Sequence, residues 1–169
     1  MPRPRALVDT AALARAFKTG DLVIPPDLGE RIEVALRQQA LDRLGLEARG
    51  GTLLTGGERI EAAARQGKVH LLIHAADAGD DGNRRLDQAW RVGGGDRAGL
   101  VFPEGRPILS MALGRENVVH IALTDAAAAR RVTQAIDRWQ AFIDPDAGLD
   151  GAVADGSGSN DDDLDEGNA

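Results

Sequence analysis

The run Val69-His-Leu-Leu-Ile-His-Ala75 constrains the fold of this chain more than any other stretch. It is apolar almost throughout and only as long as a strand, which suits a strand covered on both faces of a sheet. Such a strand needs helices above and below it, and the flanking sequence supplies candidates. Upstream, Gly50-Gly51-Thr52-Leu53-Leu54-Thr55-Gly56-Gly57-Glu58-Arg59 is a glycine pair, a short β-prone run and a second glycine pair. A helical pattern follows, with Ile60, Ala63 and Ala64 at helical spacing and Gly67 as a C-terminal cap. Downstream, a helix is predicted from about Asn83 to Val92, with Asp80 or Asp81 as its cap and Leu86, Ala89 and Trp90 on one side. Gly93-Gly94-Gly95 then ends it.

The same alternation continues in both directions. Ala98 to Phe102 reads as a third strand, Pro107 to Leu113 as a short helix and Val118 to Leu123 as a fourth strand. Thr124 or Asp125 caps a last helix whose stripe is Ala128, Val132, Ala135, Ile136, Trp139 and Ile143. Towards the N-terminus, Leu28 to Leu46 is helical, starting at Pro26 or Asp27, with Ile32, Leu36, Ala40 and Leu44 in one stripe. Val34 and Leu41 lie off that stripe, which predicts burial on more than one side. A brief strand from Asp21 to Ile24 and a short helix over 9–17, capped by Asp9 or Thr10, precede it. The expectation is an α/β fold: a three-layer α/β/α sandwich with about four central strands, an N-terminal helical extension and a disordered acidic tail.

The tail explains the charge. Among 169 residues there are 27 acids and 20 basic residues, a formal charge of −7. Eight of the acids lie at or beyond Pro145, where Lys and Arg are absent, so 19 acids remain to face the 20 basic residues of the body. A body this close to neutral neither demands nor excludes a nucleic-acid partner. With no cysteine there are no disulfides, thiolate nucleophiles or cysteine metal sites, and no apolar run is long enough for a signal peptide or a membrane span. These features predict a soluble, cytoplasmic protein without a membrane partner.

Catalytic signatures are missing. His70 and His74 share a strand face, but four residues at about 3.3 Å each put them roughly 13 Å apart, too far to ligate one ion. His120, on another strand, approaches only one of them, so the histidines read as core or edge residues rather than metal ligands. Counted from Asp77, a calcium loop would place Gly79 and Gln88 where oxygen donors are required. Gly93-Gly94-Gly95 leads to no Gly-Lys-Ser/Thr, and Ser110 stands in no Gly-x-Ser-x-Gly elbow. The chain therefore reads as a non-enzyme, with no cofactor and no metal. What it offers is an anion site. A strand entering a helix through Gly56 and Gly57 exposes unpaired N–H groups, and Arg59, Arg84, Arg85 and Arg115 lie near strand ends. If the first two strands are parallel neighbours, Arg59, Arg84 and Arg85 share one sheet edge and form a phosphate-contacting rim.

Several stretches carry a resemblance. Ala40-Leu-Asp-Arg-Leu-Gly-Leu46, Leu54-Thr-Gly56, Gly67-Lys-Val-His-Leu-Leu-Ile-His-Ala-Ala-Asp77, Ala112-Leu-Gly-Arg-Glu-Asn-Val-Val-His120 and Ala122-Leu-Thr-Asp125 resemble bacterial YlxR/YlxQ-type (DUF448) proteins. These join a YlxR module to a domain of the kink-turn-binding ribosomal-protein superfamily. The resemblance implies a shortened YlxR remnant over 1–35, a kink-turn-binder-like domain over 36–144 and the tail over 145–169. It also implies RNA as partner, in a ribosome-associated setting. The superfamily grips RNA at a Gly-x-Asn-Glu junction with a Lys three residues later, and at the loop before the last strand. The matching positions are Gly56, Gly57, Glu58, Arg59 and Ala62, then Gly114, Arg115, Glu116, Asn117 and Val118, and the expected contact surface runs from Thr55 to Arg59 and over that loop. Glu58 stands for the Asn, Arg59 for the Glu, and Ala62 for the Lys, so the anion-friendly backbone is kept while the kink-turn side chains are replaced. The alternative is a scaffold that binds transcription or translation proteins without direct RNA affinity.

Overall fold

In a computed structural model, residues 10–18, 23–95 and 97–145 are described. The acidic tail lies outside them. α1 (Thr10–Phe17) precedes α2 (Leu28–Arg49), whose second half buries Ala40, Leu41 and Leu44. The first half of α2 is more open, and Val34 is 60% exposed, so only Leu41 meets the expectation of two-sided burial. Val23 and Ile24 form no strand, and Asp21 and Leu22 lie outside the described residues.

β1 (Leu53–Thr55), α3 (Gly57–Arg65), β2 (Leu71–His74), α4 (Asp80–Val92), β3 (Leu100–Val101), α5 (Arg106–Leu113), β4 (His120–Leu123) and α6 (Ala126–Ile143) then alternate along the chain. The predicted three-layer sandwich is present. Its four strands run in the order β1-β4-β2-β3. β4 is antiparallel to β1 and to β2, while β3 is parallel to β2. The first two strands therefore point the same way but are not neighbours, because β4 lies between them.

Side-chain alternation on the central strands separates two cores. Leu71 and Ile73 of β2, with Ile121 and Leu123 of β4, face α2, α5 and α6, where Leu44, Phe102, Leu109, Ile136 and Trp139 are fully buried. Leu72 and Ala122 face α3 and α4, packing with Ile60, Ala64, Leu86, Ala89 and Trp90. This two-sided covering is why the run from Leu71 to Ala75 is buried without interruption. The Trp90 indole N–H reaches the Val69 carbonyl at 2.9 Å, which ties α4 to the start of β2.

The predicted start of α6 holds, and that of α4 does not. Asp125 caps α6, its side chain accepting from Ala128 N at 2.7 Å. Asp80 and Asp81, by contrast, are inside the first turn of α4, and Gly79 holds the cap position. There the two carboxylates complement the helix dipole instead of closing the backbone.

One buried charge ties α2 to α6 and to the start of β1. Glu47 of α2 is 5% exposed and receives Arg131 of α6 through both carboxylate oxygens, at 2.9 and 3.2 Å, together with the Thr52 hydroxyl at 2.8 Å. The Arg131 hydrogen bonds hold its carboxyl below the usual glutamate range, against the opposing effect of burial. Glu47→Ala is expected to cost about 2 kcal/mol, because it removes a charge-assisted hydrogen bond and deprives the Thr52 hydroxyl of a partner. Since the folded carboxyl is the stronger acid, this contribution is present above the unfolded value of 4.5 and disappears as pH falls through the folded one. Urea unfolding of both proteins should show their difference shrinking in acid.

Candidate nucleic-acid interface

Strand directions decide which loops meet. β1, β2 and β3 end at the sheet edge where antiparallel β4 begins. The β1–α3 junction, the β2–α4 loop, the β3–α5 loop and the α5–β4 loop therefore share one edge. The edge expected from parallel neighbours exists, but the inserted β4 builds it and brings the Arg115 loop into it as well.

At the junction, Gly56 adopts φ 92°, a conformation that side chains resist, and turns the chain into α3. Its carbonyl accepts Ile60 N at 3.0 Å as the first helical bond. The amides of Gly57, Glu58 and Arg59 precede that bond and so have no helical acceptor, and Gly56 offers no side chain to cap them. Glu58 and Arg59 are exposed, and Arg59 forms no ion pair among the described residues. Across the edge, Arg115 donates from Nη1 to Thr55 Oγ1 at 2.7 Å. This contact joins the two predicted segments, which are 60 residues apart in sequence. Gly114, Glu116 and Asn117 are exposed, and Asn117, with φ 53°, accepts from Arg106 Nη1 at 3.2 Å. Val118 is a correction to the predicted contact surface: it is 2% exposed and its side chain is in the larger core. Its amide donates to Ser110 Oγ at 2.9 Å, so it anchors the loop and presents no side chain to a ligand.

The other arginines are partly engaged. Arg84 pairs with Asp81 at 2.5 Å, Arg85 lies 3.5 Å from Glu61, and Arg106 lies 4.0 Å from Asp77. All three arginines remain largely exposed, with side-chain exposures of 75%, 56% and 45%. Exposed pairs of this kind contribute little to stability and exchange readily for another anion.

Beneath these arginines is a cluster that sequence reasoning missed. His74 and His120 occupy paired positions on β2 and β4, and their Nδ1 atoms are 2.9 Å apart. His74 is 2% exposed, and its Nε2 meets Asp87 Oδ1 at 3.0 Å, which also accepts Gly99 N at 2.7 Å. His70 is exposed at the opposite end of the sheet. The missing signal was strand pairing, because nothing in the sequence shows that His74 stands opposite His120. The half-buried His120 imidazole is pushed down from 6.5 to about 4 by burial and by the neighbouring His74 and Arg85, against the Asp87 charge. Among the described residues, no group of three or more His, Cys, Asp or Glu has the arrangement of a metal site. Nor is any helix among them long and apolar enough to cross a membrane.

The fold and this edge define the class: an α/β/α sandwich on a mixed sheet, with an arginine-bearing strand-to-helix junction at one end. No protein-family description and no functionally curated protein matches the sequence. A solved structure of a protein with unknown function from Bacillus halodurans matches with 32% identity and a TM-score of 0.53, over 59% of this chain and 97% of that one. The chain belongs to the same family as that protein. The Giardia lamblia 15.5kD RNA binding protein matches with 19% identity and a TM-score of 0.47, over 64% of this chain and 91% of that one.

The histidine pair has a measurable consequence for folding. Between about pH 6.5 and 4 the unfolded chain protonates His120 while the folded chain keeps it neutral, so the unfolded state binds more protons and stability rises with pH across this window. The contribution is complete above 6.5 and disappears towards 4. Urea midpoints measured across this range should fall more steeply with acid in the wild type than in His120→Asn.

Proposed function

We propose that the chain is a non-catalytic, cytoplasmic RNA-binding protein that works around ribosomal or transcript RNA. The observation that carries this reading is the Arg115–Thr55 contact, which joins the free amides of α3 and the α5–β4 loop into one exposed surface. Phosphate is held by the amides of Gly57, Glu58 and Arg59 and by the Arg59 guanidinium. The loop over Gly114, Arg115, Glu116 and Asn117 packs against an unstacked base, with the Arg115 plane as its platform. The YlxR/YlxQ resemblance supports the same surface, and the absence of a recognisable nucleophile and base supports the non-catalytic reading.

The interspersed carboxylates of Glu58, Asp77, Asp81 and Glu116 favour a second reading, a scaffold for transcription or translation proteins. Partners that remain bound after nuclease treatment would support it, whereas complete release by nuclease would support the RNA reading.

Arg59→Glu combined with Arg115→Glu is expected to weaken binding of a labelled structured RNA at least tenfold at low salt. The slope of log affinity against log salt should fall by about 1 for each phosphate that the variant no longer neutralises. Titration by fluorescence anisotropy measures both quantities. An unchanged affinity would remove this surface from the reading.

A further inference from the structure

The surface between α2 and α6 gathers positive charge that the proposed RNA contact leaves unused. Arg131 and Arg138 lie on one face of α6, two turns apart, with Gln134 between them. Gln39 and Arg43 of α2 face them across a hollow of about 140 Å³, and among the described residues no carboxylate lines it. A second hollow of about 390 Å³ adjoins the first at Gln134 and brings Arg130 to the same surface.

Little offsets these guanidinium groups. Glu47 is 2.9 Å from Arg131 and 3.9 Å from Arg43, but its side chain is only 6% exposed, so its charge is already committed. Asp125 also acts on Arg131, from the start of α6, where its carboxylate holds the Ala128 amide. Arg130 and Arg138 form no ion pair among the described residues, and Arg138 reaches only the Gln39 side-chain oxygen, at 3.5 Å. Four arginines against two carboxylates leave this surface with a charge of +2. At the Arg115 edge, by contrast, Arg84, Arg85 and Arg106 each have a carboxylate partner.

The chain that follows α6 has the complementary chemistry. From Pro145 onward it carries eight acids and no Lys or Arg, with five of the acids in the run Asp161-Asp-Asp-Leu-Asp-Glu166. Leu164 stands among them, and the larger hollow offers Leu71, Ala126 and Ala129 as apolar lining, which suits an acidic peptide better than a phosphate backbone. The reach is also suitable. Arg131 is twelve residues before Ile143, about 18 Å back along the helix. Asp161 is 18 residues beyond Ile143, and a chain of that length rich in Gly, Asp and Ser has a root-mean-square span of about 21–25 Å. A tether whose span matches the distance to its site gives the highest effective concentration there.

We propose that the groove between α2 and α6 is the docking site of this chain's own acidic segment, residues 161–166, whose carboxylates pair with Arg130, Arg131, Arg138 and Arg43. Because the arginines are exposed to solvent, the contact is salt-dependent. The groove starts at the sheet end opposite Arg115, since Asp125 follows β4 and Thr52 precedes β1. Docking there is independent of whether RNA binds at the Arg115 edge.

The protein has no cysteine, so Ser159→Cys gives the full chain a single site for a nitroxide spin label. At low salt the label should selectively broaden the NMR signals of the amides of Gln39 to Arg43 and of Arg130 to Arg138, and about 1 M salt should restore them. Arg130→Glu combined with Arg138→Glu should abolish the broadening without unfolding the protein, because neither arginine has an ion pair to lose. Leu164→Ser should reduce it. No broadening at low salt, broadening that survives the double substitution, or broadening centred on Gly57 to Arg59 and Arg115 would overturn the proposal. Mixing spin-labelled protein with isotope-labelled, spin-free protein tests the source of the tail, and broadening of the spin-free copy equal to that within one chain would assign the groove to a second copy and overturn it. A structured RNA that removes the broadening from a chain carrying Arg59→Glu and Arg115→Glu would make the groove an RNA surface, with the same result.

Discussion

The arrangement depends on β4 lying antiparallel between β1 and β2. A sheet of parallel strands in sequence order would also gather the loops that follow β1 and β2. It would, however, send the start of a fourth parallel strand to the opposite end and separate Arg115 from Thr55. By running the other way, β4 starts where its neighbours finish. It also hydrogen-bonds on both sides, so its register is fixed twice, pairing Ile121 with Thr55 on one side and His120 with His74 on the other. A slip of one residue would turn Ile121 and Leu123 away from the larger core and Ala122 into it. The burial of these three residues therefore also fixes the contact between the histidines. The site geometry thus follows from core packing.

Much of the fold was legible because its signals are local. The buried run of β2, the stripe of α6 and the glycine-opened start of α3 each carry their information within a few residues. Strand order does not, since the choice between β1-β2 and β1-β4 pairing depends on contacts about 70 residues apart. For the same reason, Arg59 and Arg115 were individually visible while the Arg115–Thr55 contact and the Asp87–His74–His120 chain were not. Val118 was misplaced because it follows directly on the polar loop residues Gly114 to Asn117 and was read both as the end of that loop and as the start of the strand. The burial of Val118 is determined by Ser110, whose hydroxyl holds its amide, and by the core beneath. Similarly, Val34 looked like a core residue because it is apolar, although it lies off the stripe of α2. No residue of α2 before Ala40 is buried, so Val34 has no core to join.

Glycine in this protein serves two purposes that look identical in sequence. In the pair Gly56-Gly57, only Gly56 has a positive φ; Gly57 is helical, and its missing Cβ leaves the space into which the Arg85 guanidinium fits. Around the histidines the pattern repeats. A Cβ at Gly99 would run into His74 Nε2, and one at Gly82 would lie 3.0 Å from His120 Nε2. The first clash could be relieved only by displacing a ring held between Asp87 and His120, so the cost falls on the whole chain of hydrogen bonds. Backbone amides, a guanidinium and an imidazole thus converge within one edge because three of the intervening positions carry no side chain. A turn signal in the sequence accounts for Gly56 alone, whereas Gly57, Gly82 and Gly99 are explained by what occupies the space they leave.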